Sequence, residues 1–184
     1  MGLIETKRLT LRKWRLSDSS DLYEYAKSEL VGPSAGWFPH KSEENSRNMI
    51  NYFMTCPYVY AIELKENKKV IGGIGINDRK PNPRISDKKQ GEIGYDLNPK
   101  YWGRGIVPEA VHRLIEFGFE ALDLDIIWCG HYKENYNSKR VNEKCGFKYS
   151  FTKEETLDQF DNKKVETLYY KIERLEYYAT NNQF

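Results

Sequence analysis

The chain has 184 residues, with 29 Lys plus Arg against 27 Asp plus Glu and a formal net charge of +2. Such a length suits one domain with a sizeable core, and mixed, near-balanced charge argues against a nucleic-acid protein held by counterion release. No apolar run approaches a membrane span, and the three widely spaced cysteines, Cys56, Cys129 and Cys145, lack CxxC pairing, as reduced thiols of a cytoplasmic protein would.

The first residues hold no apolar signal region. Met1–Thr6 meets a loose myristoylation pattern, but Thr6 leads straight into the first strand and lipidation is not expected. Leu9 and Leu11 alternate with polar residues over Arg8–Trp14 and predict a half-buried strand. Ser17 and Asp18 offer capping oxygens to a helix through about Ser28. Gly32, Pro33, Gly36 and Pro39 argue against regular structure over Val31–His40. Ser42 opens a second helix to about Met54, with Glu43 and Glu44 at its positive end. Tyr58–Glu63 and Lys69–Asn77 predict a hairpin. Gly72, Gly73 and Gly75 in its second arm imply close approach by another backbone or a ligand. Arg79–Lys89 is a polar loop.

A strand through Glu92 to Leu97 then leads to a turn holding Gly103 and Gly105 and a helix from Pro108 to about Leu122. Pro108 suits a first helical turn, where its missing N–H is no loss. Val111, Leu114, Ile115, Gly118 and Leu122 share one face at helical spacing. Ile126–Tyr132 is a strand, and Asn137–Cys145 a short helix stopped by Gly146. Phe147–Phe151 and Thr167–Ile172 are two final strands around a charged loop. The expectation is one α/β domain over residues 1–179, with about seven strands in a mixed sheet and about four helices, and a frayed tail over 180–184.

Two stretches carry chemistry. In the first, a strand, a glycine turn and a helix start aim backbone N–H groups and a helix dipole at one point past the strand, which attracts phosphate. Gly103 and Gly105 allow a sharp turn and close approach of a ligand, and Arg104 adds charge. No Gly-Lys-Ser/Thr follows and no third glycine is present, so the turn is neither a Walker A loop nor a dinucleotide fingerprint. The second, Asn135–Phe147, again follows a strand and opens a helix. Helix capping alone accounts for Asn135 or Ser138, but not for the whole run. Glu109 and His112 have a carboxylate–histidine spacing found in di-iron proteins, in a single copy, and no metal is expected.

The runs Glu92-Ile-Gly-Tyr-x-Leu97, Tyr101-Trp-Gly-Arg-Gly-Ile-Val-x-Glu-Ala110 and Asn135-x-x-Ser138-x-x-Val141-x-Glu-Lys-x-Gly-Phe147 resemble the GNAT superfamily of acetyl-CoA-dependent N-acetyltransferases. The opening Ile4–Arg12 is similar to the first strand of its RimJ/RimL-like branch of ribosomal-protein N-terminal acetyltransferases. The resemblance spans residues 4–172 and implies a GNAT-like sheet, mostly antiparallel and splayed between its fourth and fifth strands. It implies that the amides of Gly103, Arg104, Gly105, Ile106 and Val107 hold the pyrophosphate of coenzyme A. Trp102 is usual for the branch at the first loop position. Val107 departs from the superfamily's Gly or Ala, but only its N–H is needed. The pantetheine arm would pair with the edge at Tyr95, Asp96 and Leu97, with Asn135 touching it. Trp37, Phe38 and His40 fall in the region that walls the acceptor pocket in relatives.

Acetyl transfer to a primary amine needs a base, because an α-amino group with a pKa of about 8 is largely charged at neutral pH. It also needs an oxyanion donor and a proton for the departing thiolate. Glu92 is the candidate base, and the resemblance implies Ser138 as the candidate proton donor and a backbone N–H near Leu97 for the oxyanion. Cys145 ends a helix, which disfavours a reactive thiolate, so direct transfer in a ternary complex is expected over an acetyl-cysteine. The expected partners are acetyl-CoA and an amine acceptor, in a cytoplasmic monomer or homodimer without nucleic acid or membrane. The acceptor could be a protein N-terminus or a small molecule such as an antibiotic or polyamine. The different-class reading is an acyl-CoA-binding module without turnover.

Overall fold

The computed structural model describes residues 3–181; the myristoylation pattern, which needs Gly2, and residues 182–184 lie outside them. Contacts group the chain into two compact units, Met1–Gly75 with Tyr95–Arg113, and Ile76–Gly94 with Leu114–Phe184.

In the first unit, β1 (Ile4–Glu5), β2 (Leu9–Arg12), β3 (Val59–Leu64) and β4 (Val70–Asn77) pair in chain order, each antiparallel to the last. The last residues of β5 (Gln90–Leu97) lie beside β4. A Cβ on Gly72 would collide with the Asp96 carbonyl and one on Gly75 with the Tyr58 carbonyl, so at these two the expected close approach is that of a backbone, whereas Gly73 faces the Asp96 and Trp14 side chains. β2 is buried on both faces rather than one. Arg12 tolerates this because its guanidinium donates to Asp18 and Glu63.

A single 3₁₀ turn precedes α1 (Ser19–Ala26), and Asp18 does not cap that helix with its side chain. Its carboxylate instead takes the Arg15 N–H at 2.8 Å and the Arg12 guanidinium. The stretch expected to be irregular contains α2 (Gly32–Ala35). Pro33 sits in its first turn, and Gly36 ends it at φ +85°, so the breakers act as boundaries of one helical turn. α3 (Glu43–Thr55) starts as expected, with Ser42 Oγ accepting from Asn45 N–H at 3.2 Å. Trp14, Leu22, Tyr25, Ile50, Ala61 and Val70 form this unit's core. Each fully buried large side chain contributes about 2 kcal/mol of transfer free energy.

In the second unit, the first residues of β5 run parallel to β6 (Ile126–Tyr132), from Gln90↔Ile126 to Glu92↔Trp128. The ladder stops there although β5 continues to Leu97 and β6 to Tyr132. This is the parting expected between the fourth and fifth predicted strands. β7 (Lys148–Leu157) and β8 (Lys163–Glu173) form a long hairpin, and β8 pairs with β6. Both strands outrun the expected 147–151 and 167–172. The supposed charged loop is paired backbone, joined by Glu154↔Glu166 and Glu155↔Val165.

α4 (Ile106–Glu120) starts two residues before Pro108 and buries Val111, Leu114 and Ile115; Leu122 falls past its end. α5 (Tyr136–Lys144) is followed by Gly146 at φ +78°, as the glycine stop predicts. The residues expected to fray begin inside α6 (Arg174–Asn181). The strands follow the order β1-β2-β3-β4-β5-β6-β8-β7. Among the described residues there are thus eight strands and six helices, a mixed α/β sheet with one strand and two helices beyond expectation.

Candidate active site

The glycine turn belongs to the first unit. Gly103 and Gly105 both adopt left-handed backbone, at φ +77° and +70°, directly before α4. A Cβ at Gly103 would meet nothing within 4 Å, so glycine is required there by conformation and not by crowding. Ile106 and Val107 are buried and anchor the first turn of α4, while Gly103 and Arg104 are exposed. The Arg104 guanidinium lies over the Tyr101 ring, 5.2 Å from its centroid. Trp102 donates its indole N–H to the Leu97 carbonyl at 2.9 Å and so ties the turn back to the end of β5.

Along that end of β5, Asp96 turns its carboxylate inward, where Oδ1 accepts the Gly73 N–H at 3.0 Å. Burial lifts its pKa to about 6, against the pull of Tyr25 and Gly73. The candidate acceptor residues divide. Trp37 packs against the core of the first unit and lies 5.3 Å from the His40 ring. His40 Nδ1 bonds Ser46 Oγ at 2.8 Å, and burial lowers its pKa. Phe38 is exposed.

Glu92 belongs to the second unit. It is only 8% exposed. Burial raises its pKa above the ordinary carboxylate range; Arg79 and the Gly130 backbone pull it down, and Glu155 pushes it up. Arg79 Nη1 lies 3.6 Å from Oε2, which accepts no hydrogen bond among the described residues. A Cβ at Gly130 would lie 3.1 Å from Glu92 Oε1 and 2.9 Å from Tyr169 Cε1, so a glycine makes room for the carboxylate. Tyr169 donates its hydroxyl to Glu155 at 3.3 Å, and Thr167 donates to the same carboxylate at 2.6 Å. Arg79, Gly130, Tyr169 and Glu155 escaped sequence reasoning, since none sits in a recognisable motif.

Asn135 and Ser138 meet at the start of α5, where Asn135 Oδ1 accepts the Ser138 N–H at 3.0 Å. The capping bond is therefore real and leaves the Ser138 hydroxyl for other work. Burial pushes the Cys145 thiol up to about 12, and Cys129 is buried in β6. Neither is a ready nucleophile. His112 is exposed, and Glu109 is engaged by Thr6 and Arg8. Among the described residues no group of three or more His, Cys, Asp or Glu is placed to hold a metal ion. No helix there is long and apolar enough to cross a membrane.

A family model described as an acetyltransferase (GNAT) domain matches residues 8–148. The chain is 33% identical over 172 residues to "Uncharacterized N-acetyltransferase p20" of Bacillus licheniformis, covering 89% of this chain and 90% of that protein. Its fold is similar to the crystal structure of an acetyltransferase (GNAT family) from Bacillus anthracis, at TM-score 0.79 and 26% identity over 94% and 98% of the two chains. It is also similar to the microcin C7 self-immunity acetyltransferase MccE in complex with acetyl-CoA and AMP, at TM-score 0.75 and 21% identity over 91% and 93%.

Proposed function

The chain belongs to the acetyltransferase (GNAT) family, whose members are acyltransferases that use acetyl-CoA, and we propose that it acetylates a primary amine, the α-amino group of a protein N-terminus, by direct attack. The observation that carries the reading is the turn at Gly103 and Gly105, two left-handed glycines immediately ahead of α4. That conformation frees successive N–H groups at the positive end of a helix to receive a diphosphate.

In this reading the N–H groups of Gly103–Val107 hold the pyrophosphate, and the Tyr95–Leu97 edge and Asn135 align the pantetheine arm. Glu92 takes a proton from the acceptor ammonium, directly or through one water, and its raised pKa suits that task near neutrality. The amine nitrogen bonds to the thioester carbon, the C–S bond breaks, and the sulfur leaves as thiolate. The developing oxyanion is met by a backbone N–H near Leu97. The second amine proton ends on the sulfur, with the Ser138 hydroxyl as the donor beside it. Trp37, Phe38 and His40 contribute to the acceptor side, Phe38 being the exposed one of the three.

The preference for a protein N-terminus rests on the RimJ/RimL-like character of Ile4–Arg12 and Tyr101–Ala110. We place the enzyme in the cytoplasm, where its three cysteines, none of them in a disulfide, stay reduced. The test is thiol release from acetyl-CoA with N-terminal peptides, polyamines and aminoglycosides as acceptors. Release that depends on the peptide's free α-amine supports the reading. Release with small amines alone refutes the N-terminal assignment, and release with none refutes amine transfer.

A further inference from the structure

Arg8 and Glu109, 101 positions apart in the chain, form one bonded unit against the glycine turn. The Glu109 carboxylate accepts the Thr6 hydroxyl at 2.6 Å, the Arg8 N–H at 2.8 Å and Arg8 Nε at 2.6 Å. The same guanidinium donates from Nη1 to the Arg104 carbonyl at 2.9 Å. Arg8 thus bridges the first turn of α4 and the peptide between the two left-handed glycines.

Peptide geometry gives this bridge a consequence. The Arg104 carbonyl and the Gly105 N–H share one peptide plane, and no cis bond occurs among the described residues. In a trans peptide the two groups point in opposite directions. Holding the carbonyl toward Arg8 therefore turns the Gly105 N–H away from Arg8. A phosphate bound to that N–H lies on the opposite side of the peptide from the guanidinium.

We propose that Arg8 is a positioning residue for the coenzyme's pyrophosphate, acting through the Arg104–Gly105 peptide and not by touching phosphate. The proposal rests on the assignment of Gly103–Val107 to the pyrophosphate. Glu109 has two parts in it. It holds the guanidinium at Nε, and its own charge, which would repel an anion at the same helix end, is neutralised by Arg8. A lysine cannot substitute, because one ammonium on a flexible stem lacks the planar fork that spans both acceptors.

The test is calorimetric titration of the full chain with coenzyme A and with pantetheine, which lacks the pyrophosphate, for wild type, Arg8→Lys, Arg8→Met and Glu109→Ala. Both Arg8 variants should weaken coenzyme A about ten-fold, the scale of one lost charge-assisted hydrogen bond. The wild-type preference for coenzyme A over pantetheine should shrink by the same factor. In kinetics the KM for acetyl-CoA should rise far more than kcat falls. Glu109→Ala decides between positioning and bare electrostatics: positioning predicts weaker coenzyme binding, whereas removal of a repelling carboxylate predicts tighter binding. Wild-type affinity in Arg8→Lys, or tighter binding in Glu109→Ala, overturns the proposal. Should the Arg8 variants fail to fold, the direction of the change in Glu109→Ala decides the matter alone. If wild type itself binds no coenzyme A, the pyrophosphate assignment beneath the proposal is what has failed.

Discussion

At the scale of single residues, Gly105 and Glu92 carry the most exposed commitments. Gly105 sits at φ +70°, where any side chain is strained by about 1–3 kcal/mol. Gly105→Ala should lower the thermal midpoint and weaken coenzyme A in parallel; a variant with wild-type stability and affinity would show that the left-handed turn is dispensable. The base role proposed for Glu92 needs its carboxylate unprotonated, and burial raises its pKa. Activity should therefore fall as pH drops through a value above the ordinary glutamate range. Glu92→Gln should erase that acid limb and slow turnover about a hundred-fold at pH 7 while sparing coenzyme affinity. An unchanged pH–rate profile would remove Glu92 from the chemistry. Ser138→Ala should lower kcat with little change in KM for acetyl-CoA, and full activity would end its assignment as proton donor.

Among the elements, the tie between β2, β3 and the turn before α1 is ionic. Arg12 is 7% exposed and bonds Asp18 at 2.8 Å and Glu63 at 2.5 Å. Arg12→Leu leaves two buried carboxylates without their cation and should cost about 3–5 kcal/mol in urea unfolding at pH 7. A loss under about 1 kcal/mol would mean the carboxylates find water instead. Asp96 makes the opposite kind of prediction. Its pKa is about 6 in the fold against 3.8 ordinarily, so the folded state holds the proton more tightly. Stability then declines as pH rises from 3.8 to 6 and levels off above. Asp96→Asn should remove that decline, so its advantage over wild type grows from about pH 4 to about pH 8. Equal unfolding midpoints at both ends would refute the shift.

For the molecule as a whole, the sequence is most readable where chemistry and local geometry coincide. Gly103, Gly105 and Gly146 each lie at positive φ, and each is legible from its neighbours as a turn or a helix stop. Pro108 marks the first turn of α4 to within two residues. Legibility fails where long-range pairing overrides local pattern. β7 and β8 run through Lys153–Glu155 and Lys163–Glu166, charged stretches with no apolar alternation, because the hairpin is held by backbone pairing and by bonds such as Thr167 to Glu155. Arg8 reads as an ordinary strand residue until the fold brings it to Glu109 and the Arg104 carbonyl. The surroundings of Glu92 are hidden for the same reason, since Gly130 and Tyr169 reach it across strands. The central claim is that backbone amides of the glycine turn and the first residues of α4 grip the coenzyme. Amide NMR of the 15N-labelled chain, titrated with coenzyme A, tests it most directly. The N–H signals of Gly103–Val107 should be among the most displaced and should saturate with one dissociation constant; a chain that saturates with coenzyme A while those signals stay in place would contradict the account.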